Sequence, residues 1–523
     1  MKINLKIAIL FLLFPFSLMG QEKIIAKNTK QTLLSTSFYT DSVNQEIYNF
    51  AKGSSYYLIN LMPDHVSKAS LRYTFEQGNF IPSQGSTSIN AGNASTEGTA
   101  KLGTVKLFGA FSYQKTFEDS TRFAHQTRSN VSTPYYFGSP AYVHYERSVY
   151  TFNAMAGKNF LGDKLNLGLG TDYKVGDHYS TNDPRGSVGE YQFNLLFSLG
   201  YKVNKAFGFG AAYRTGYGQE RVTIGYKNPR YYESSFYPMY YNHLINGYGE
   251  GRPALSAANR RYTDNQKRNG ADLYMDLNSE NLGRFHLKTT YTKETQRYFY
   301  STSSGFDDFA QYNLANTDVN FLWYMTSGIL SFGTAINYSN NAGKDFNLQY
   351  QANNYRYNDE TSSIKIFLSK KGTKNTYNHF VRASMYNEER VDGTKANDIY
   401  FSNLYLNIGS GFTRFQDKQR FLSVNLSAEY KIALNDQFQV TQANEGYFTR
   451  YVIYHDYLYN TASSIGGKIT AEYGFPFLKT MQAGFKVEAR YNDKLDQKTL
   501  DRNVVSSPGN DRFSSNISLN LYF

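Results

Sequence analysis

Tyr191-Gln192-Phe193-Asn194-Leu195-Leu196-Phe197-Ser198-Leu199-Gly200-Tyr201-Lys202 repeats with a period of two. Tyr191, Phe193, Leu195, Phe197, Leu199 and Tyr201 form a greasy, aromatic face. Gln192, Asn194, Ser198, Gly200 and Lys202 form most of the other. Side chains of an extended strand alternate between its two faces, so this is a β-strand with one apolar and one wet side. The pattern recurs in Leu165, Leu167, Leu169 against Asn166, Gly168, Gly170. It recurs again in Leu422 to Ile432 against Ser423, Asn425, Ser427, Glu429, Lys431, and in Met481 to Tyr491 against Gln482, Gly484, Lys486, Glu488, Arg490. Charges on the inner face would be costly in a dry sandwich core but are at home in a water-filled lumen. The fold expected is all-β: a transmembrane antiparallel β-barrel whose apolar face meets lipid.

Composition agrees. Tyr (48) and Phe (39) dominate, Gly is plentiful (41), Pro is scarce (11) and Cys is absent. Aromatic residues suit pleated strands and Pro interrupts them, while the lack of Cys excludes disulfides and thiolate metal sites. The mean hydropathy of −0.55 does not argue for a soluble protein, because only alternate barrel residues touch lipid. The formal charge is +12 with no Lys/Arg run, so nucleic acid is not expected as a partner. Lys2 and Lys6 precede an apolar stretch from Ile7 to Met19, and polarity resumes at Gln21. That is the layout of a secretory signal peptide over residues 1–20, removed on export to an outer membrane. The lipid, lipopolysaccharide and barrel-assembly machinery of that membrane are then the expected partners, with a surface partner encoded in the same operon as a further candidate.

Short connections punctuate the alternation at 159–163, 203–205, 279–283, 326–328, 371–374, 415–418 and 475–478. Read as periplasmic turns, they give seven hairpins. One strand before them and one after bring the count to about sixteen, and fourteen to eighteen fit the soft boundaries. The barrel is expected over residues 98–523. Residues 21–97 are expected as a periplasmic or luminal segment, although Ala69, Leu71, Tyr73 and Phe75 alternate, because counting that strand alone would make the total odd. Residues 83–99 read as loop. The chain ends on Ile517, Leu519, Leu521 and Phe523 alternating with polar residues. This is an amphipathic edge strand of the kind assembly machinery reads as an insertion signal.

Gln77-Gly78-Asn79-Phe80-Ile81-Pro82, then Gly103 and Phe108-Gly109-Ala110-Phe111-Ser112-Tyr113, resemble the start of an uncharacterised outer-membrane β-barrel family of Bacteroidota-type bacteria, a domain of unknown function. The resemblance implies location and fold and carries over no catalytic residue.

The longest connection, at about 218–270, would be extracellular. Its Tyr231, Tyr232, Tyr237, Tyr240 and Tyr241 could stack on sugar rings, and Arg230, Arg252, Arg260 and Arg261 could pair with carboxylate or phosphate. A second loop, at about 116–146, carries Tyr135, Tyr136, Phe137, Tyr142 and Tyr145 with Arg122, Arg128 and nearby Arg147. Lys202, Lys431, Lys468, Lys486 and Arg490 are the candidate lumen cations. They lean toward anions, diluted by Glu429, Glu472 and Glu488. No cofactor or metal ligand set is expected, since the eight His are scattered. Asp177-His178 with Ser180 and His455-Asp456 are the only rim candidates for a hydrolase. Strand neighbours point to opposite faces, so neither pair is a catalytic dyad by itself. Gly168-x-Gly170 and Gly208-x-Gly210 lie inside strands, where a dinucleotide loop is not formed. The expected function is a porin-like channel, passive or gated, for a small polar or anionic solute. The alternatives are a non-conducting subunit of a surface or secretion assembly and a rim-located hydrolase. The chain is not expected to be an enzyme.

Overall fold

The computed structural model describes residues 35–129, 132–302, 305–416, 420–478 and 481–523. The leader assigned to residues 1–20 lies outside them. Eighteen antiparallel strands form one closed sheet. In chain order they begin with β1 (Val66–Gly78), β2 (Ser88–Leu102) and β3 (Val105–Thr121). After a short strand inside the barrel, β4 (Tyr135–Gly138), come β5 (Val143–Phe160), β6 (Leu165–Ser180), β7 (Arg185–Lys202) and β8 (Phe207–Gly225). Two more short strands, β9 (His243–Asn246) and β10 (Glu250–Pro253), precede β11 (Arg261–Ser279), β12 (Gly283–Thr302), β13 (Gly305–Ser327) and β14 (Leu330–Asn347). The wall continues through β15 (Tyr355–Lys371), β16 (Asn375–Asp392), β17 (Asn397–Phe415) and β18 (Phe421–Gln439). It ends with β19 (Ser464–Leu478), β20 (Met481–Lys494) and β21 (Asp511–Tyr522). Closure comes from β21 pairing with β1, from Lys68↔Tyr522 to Gly78↔Arg512.

The outward face is apolar and exposed: Leu167, Leu169, Phe197, Leu199, Leu273, Ile366, Leu426, Ile469, Phe485 and Leu519 among others. An apolar belt of this extent on a closed sheet has lipid as its natural neighbour. This is the fold of an outer-membrane β-barrel. Ile517, Leu519, Leu521 and Phe523 face outward on or beside the strand that closes it. No described helix is long and apolar enough to cross a membrane, as expected of a chain that would cross with strands.

The sequence-based count of about sixteen is corrected to eighteen, and the boundary at residue 98 falls inside the wall. Both β1 and β2 belong to the barrel, so the parity stays even. The signal for β2 was missing for a physical reason. Its outward row is Asn90, Gly92, Ala94, Thr96, Gly98 and Ala100, small and polar where its neighbours present Leu71, Tyr73, Phe111 and Tyr113. A turn at 103–104 was missed with it. The strands are 12 to 23 residues long, and the long connection expected at 218–270 shrinks to 226–260. Their extra residues extend the wall at the long-loop end.

Residues 35–61 are helical and lie in the lumen: α1 (Ser35–Thr40), α2 (Ser42–Ala51) and α3 (Ser55–Leu61). Asp41 caps α2 by accepting from the amides of Val43 (2.8 Å) and Asn44 (3.2 Å), and Ser54 caps α3 by accepting from Tyr57 (3.3 Å).

A cation on the outer belt separates this fold from a soluble one. Phe197→Arg should cost about 2–4 kcal/mol of folding stability in liposomes. Lumen-facing Asn425→Lys should stay within about 0.5 kcal/mol, as an exposed polar change does. Urea titration of both variants is the check, and equal costs would place water on both faces.

Candidate functional site: a lumen capped at both mouths

The helices fill the mouth that carries the short turns. Tyr57 donates to the carbonyls of Leu287 (2.7 Å) and Met275 (3.2 Å), and Tyr56 donates to Asp276 (2.7 Å) while its ring stacks on Tyr274 at 4.8 Å. Burial, then the charge of Asp276, pushes both phenols well above their usual range, so they remain donors. Across the lumen, Asp41 pairs with Lys371 and Glu46 with Lys365, while Ser42 donates to Asn378 (3.0 Å). Tyr39 lies against Tyr522 at 5.7 Å. The plug therefore leans on β1, β3, β5–β8, β11–β16 and β21.

Glycines make its seat. A Cβ on Gly157 would meet Ile59 at 2.7 Å, one on Gly168 would meet Ser55 at 2.7 Å, and one on Gly210 would meet the Tyr56 ring at 2.8 Å; Gly200 lies closer still to that ring. These residues face inward on β5 to β8, and Gly157↔Gly168 and Gly200↔Gly210 are cross-strand neighbours. The Gly-x-Gly pairs of the sequence are thus part of a docking surface. The signal was legible as inward glycines on consecutive strands, but nothing in one strand says what they make room for.

The other mouth is filled by folded loops. Strands β4, β9 and β10 form a small sheet inside the barrel. Their Tyr135, Phe137 and Ile245 join Tyr248, Val188, Val222, Tyr262, Tyr298, Tyr312 and Phe401 in one buried cluster. A helix at the same end, α4 (Tyr454–Asn460), adds Tyr454 and Tyr457. Carboxylates pin these loops through backbone amides. Asp392 accepts from Tyr248 (2.8 Å), Glu250 accepts from Tyr447 (3.0 Å) and Phe448 (2.7 Å), and Asp183 accepts from Lys227 and Asn228 (both 2.9 Å). Tyr135 donates to Asp345 at 2.6 Å.

The candidate ligand loop divides. Arg230 to Tyr241 forms an outer knot in which Tyr231 stacks on Tyr240 at 3.9 Å and meets Tyr237 at 5.5 Å. Arg260, buried, is flanked by the rings of Tyr232 (4.3 Å) and Tyr226 (5.1 Å). Tyr241 is half-buried, Arg261 opens β11 on its outward face, and the side chain of Arg252 is outside the described residues. The residues after 241 turn into the lumen. In the second loop, Tyr135, Tyr136, Phe137 and Tyr145 are buried and only Tyr142 is exposed, beside Arg122 at 4.0 Å. Arg128 grips Glu118 at 3.1 and 2.8 Å, and Arg147 donates to the same carboxylate at 2.9 Å.

Lys202, Lys431, Lys468, Lys486 and Arg490 all point inward. Lys202 sits at the short-turn rim, and Lys431 is buried under the carbonyl of Tyr459 at 3.0 Å. Lys468 pairs with Glu488 (3.5 Å) and Arg490 with Glu429 (2.9 Å), while Lys486 has neither hydrogen bond nor ion pair with a described residue. Glu472 is occupied by Asn520 (3.0 Å) and Tyr522 (2.5 Å). Between the caps lies a polar cavity of about 610 Å³ against β1–β3 and β5–β7, lined by Lys52, Lys68, Arg72, Glu97, Asp172 and Lys174 among others. Lys68, Arg72, Glu97 and Asp172 meet only through the register of the closed wall, which no single strand's sequence carries.

His178 is buried with Glu190 at 3.1 Å while Asp177 faces out. His455 donates from Nε2 to the Ile81 carbonyl (2.9 Å) and meets Ser506 at Nδ1 (2.8 Å), whereas Asp456 accepts from the Ser83 amide (2.7 Å). Neither pair converges on a shared substrate position. Among the described residues no group of three or more His, Asp or Glu is placed to hold a metal.

The profile of the Family of unknown function (DUF6850) matches residues 56–523. The chain belongs to this family. The match starts within the plug, at Tyr56 of α3, and spans every wall strand; it does not speak to the source organism. Among curated proteins there is no match. Solved structures with a similar course include the FrpB iron transporter from Neisseria meningitidis (10% identity, 89% of this chain, 82% of that chain, TM-score 0.41). The outer-membrane transporter YddB from Escherichia coli aligns at 7% identity, over 88% of this chain and 81% of that chain, with a TM-score of 0.37. A Pseudomonas aeruginosa FadL homologue aligns at 10% identity, over 90% and 93%, with a TM-score of 0.28. At these scores the likeness is loose and transfers nothing to this chain.

Two outcomes test the caps. Gly200→Leu combined with Gly210→Val should leave the barrel folded but speed amide exchange in residues 35–62 at least about tenfold, because the added atoms evict Tyr56. The long-loop cap should depend on acid through His125, whose burial, helped by the Arg147 charge, holds its imidazole down to about 3. The unfolded chain takes up that proton below about pH 6.5 and the native one does not, so stability present above 6.5 is lost as pH falls toward 3. Cap protection measured by exchange should fall over that window, and less steeply in His125→Asn.

Proposed function

We propose that this protein is an outer-membrane passage that rests closed and admits a small polar or anionic solute when its caps yield. The observation that carries the reading is the cavity of about 610 Å³, lined largely by charged and hydroxyl side chains, held between two caps. A barrel of this size can enclose an aqueous channel. The inward faces of β18–β20 stay wet, with Asn425, Lys468 and Arg490 exposed although they point away from lipid. The plug is latched by ion pairs and single hydrogen bonds, which a partner or ligand could exchange for its own. The long-loop end would face outward and the plug the periplasm, and the chain would arrive there after losing its leader.

A second reading rests on the same caps. Residues 35–62 and 242–254 occupy the two mouths, which also suits a non-conducting barrel that presents the knot at Arg230–Tyr241 to a surface partner. A hydrolase has no comparable support.

Planar-bilayer recording separates these readings. The full chain should show no steady conductance. A variant lacking residues 35–62, with 242–254 replaced by a Gly/Ser linker, should conduct with anion preference. If that variant runs as a folded, heat-modifiable barrel and stays silent, passage is rejected and the non-conducting reading stands.

A further inference from the structure

The inner wall beside the cavity holds cations that have no ion-pair partner among the described residues. Arg72 on β1, Ser518 on β21 and Lys486 on β20 stand in one cross-strand row, all inward. Two strand spacings put Arg72 and Lys486 about 10 Å apart at the backbone, a gap two long side chains can close around one small ion. Lys68 lies one inward position beyond the neighbouring Ser70, over the rings of Tyr39 and Tyr522, each at 5.7 Å. None of the three makes a hydrogen bond or ion pair with a described residue. The neighbouring carboxylates are committed: Glu97 to Lys52 at 3.9 Å, Glu472 to Asn520 and Tyr522, and Glu488 to Lys468.

Next to these cations runs a belt of hydroxyls. Ser70↔Ser95, Ser95↔Ser112 and Ser112↔Thr151 are successive cross-strand neighbours on β1, β2, β3 and β5, and Ser112 and Thr151 share a hydrogen bond of 2.6 Å. All four line the cavity. The rings on these strands at that level, Phe111 and Phe152, are exposed on the outer face. A volume of about 610 Å³ falls in the usual range of small-molecule sites.

We propose that Arg72, Lys486 and Lys68, with the hydroxyls of Ser95, Ser112 and Thr151, form a binding site for a small hydroxylated anion, a phosphate- or carboxylate-bearing sugar-sized solute. The proposal rests on the passage reading and deepens it by naming what the lumen selects. The guanidinium supplies a planar fork for a carboxylate or phosphate, the ammonium groups supply charge, and the hydroxyls give and accept bonds to ligand hydroxyls. Bulk water would weaken such a site, and the two caps limit its access.

The test uses the full chain refolded into detergent with the probe already present, so that closed caps cannot exclude it. Glucose 6-phosphate, inorganic phosphate and glucose are compared by their effect on thermal unfolding. Glucose 6-phosphate should raise the melting temperature most, phosphate less and glucose not at all. Arg72→Gln and Lys486→Gln should each weaken the apparent affinity at least about tenfold, with heat-modifiable mobility confirming the barrel. Arg72→Lys should retain part of it, and Ser95→Ala with Ser112→Ala should bring glucose 6-phosphate down to the level of phosphate. No response to either anion, a glucose response as large, or equal responses in wild type and the glutamine variants would overturn the site. The readout needs no conductance. A silent bilayer with this ligand response rejects passage and keeps the site, and a conducting barrel without it does the reverse.

Discussion

In hydrocarbon no backbone N–H or C=O can be left without a partner, and every other feature of this molecule follows from that demand. A strand meets it only with a neighbour on each side, so the sheet must close, and β21 must find β1. Closure then divides every strand into two chemistries. Outward residues such as Phe197, Leu199 and Phe485 meet lipid, and inward ones such as Asn194, Ser198 and Lys486 meet water or whatever fills the lumen.

Eighteen strands enclose more space than side chains can fill. The chain answers with its own backbone. Residues 35–61 enter one mouth as short helices, too short to be stable alone, and are held by the tyrosines they bury and the glycines they rest on. The other mouth takes loops whose orphan amides are satisfied by Asp392, Glu250 and Asp183. Loops buried this way need such acceptors, since an unpaired buried amide is costly. Between the caps the wall stays polar and carries more positive charge than its carboxylates cancel.

The alternation identifies the lipid face where large residues mark it. Leu165 to Leu169, Tyr191 to Tyr201 and Leu422 to Ile432 all face out. It failed at β2, where Gly92, Ala94 and Gly98 take the outward positions and the strand is held by two full ladders with β1 and β3. That strand owes its place to its neighbours rather than to its own pattern, which is common for small and polar residues in sheets. The inward lysines were legible by parity alone, yet which of them are spent in ion pairs was not. Lys468 pairs with a carboxylate on the adjacent strand and Arg490 with one two strands away, while Lys486 forms no ion pair with a described residue.

Local alternation, aromatic content and turn spacing are properties of neighbouring residues, so the amino-acid sequence by itself determined the fold class, the lipid and lumen faces of most strands, and the even parity. Register, the fate of the lumen and the company each inward charge keeps are set by contacts between residues hundreds of positions apart. Tyr57 against Leu287, Asp41 against Lys371 and Arg72 beside Ser518 are of this kind. Only the closed tertiary structure decided those, because strand pairing around the whole circle is what brings such residues to the same height.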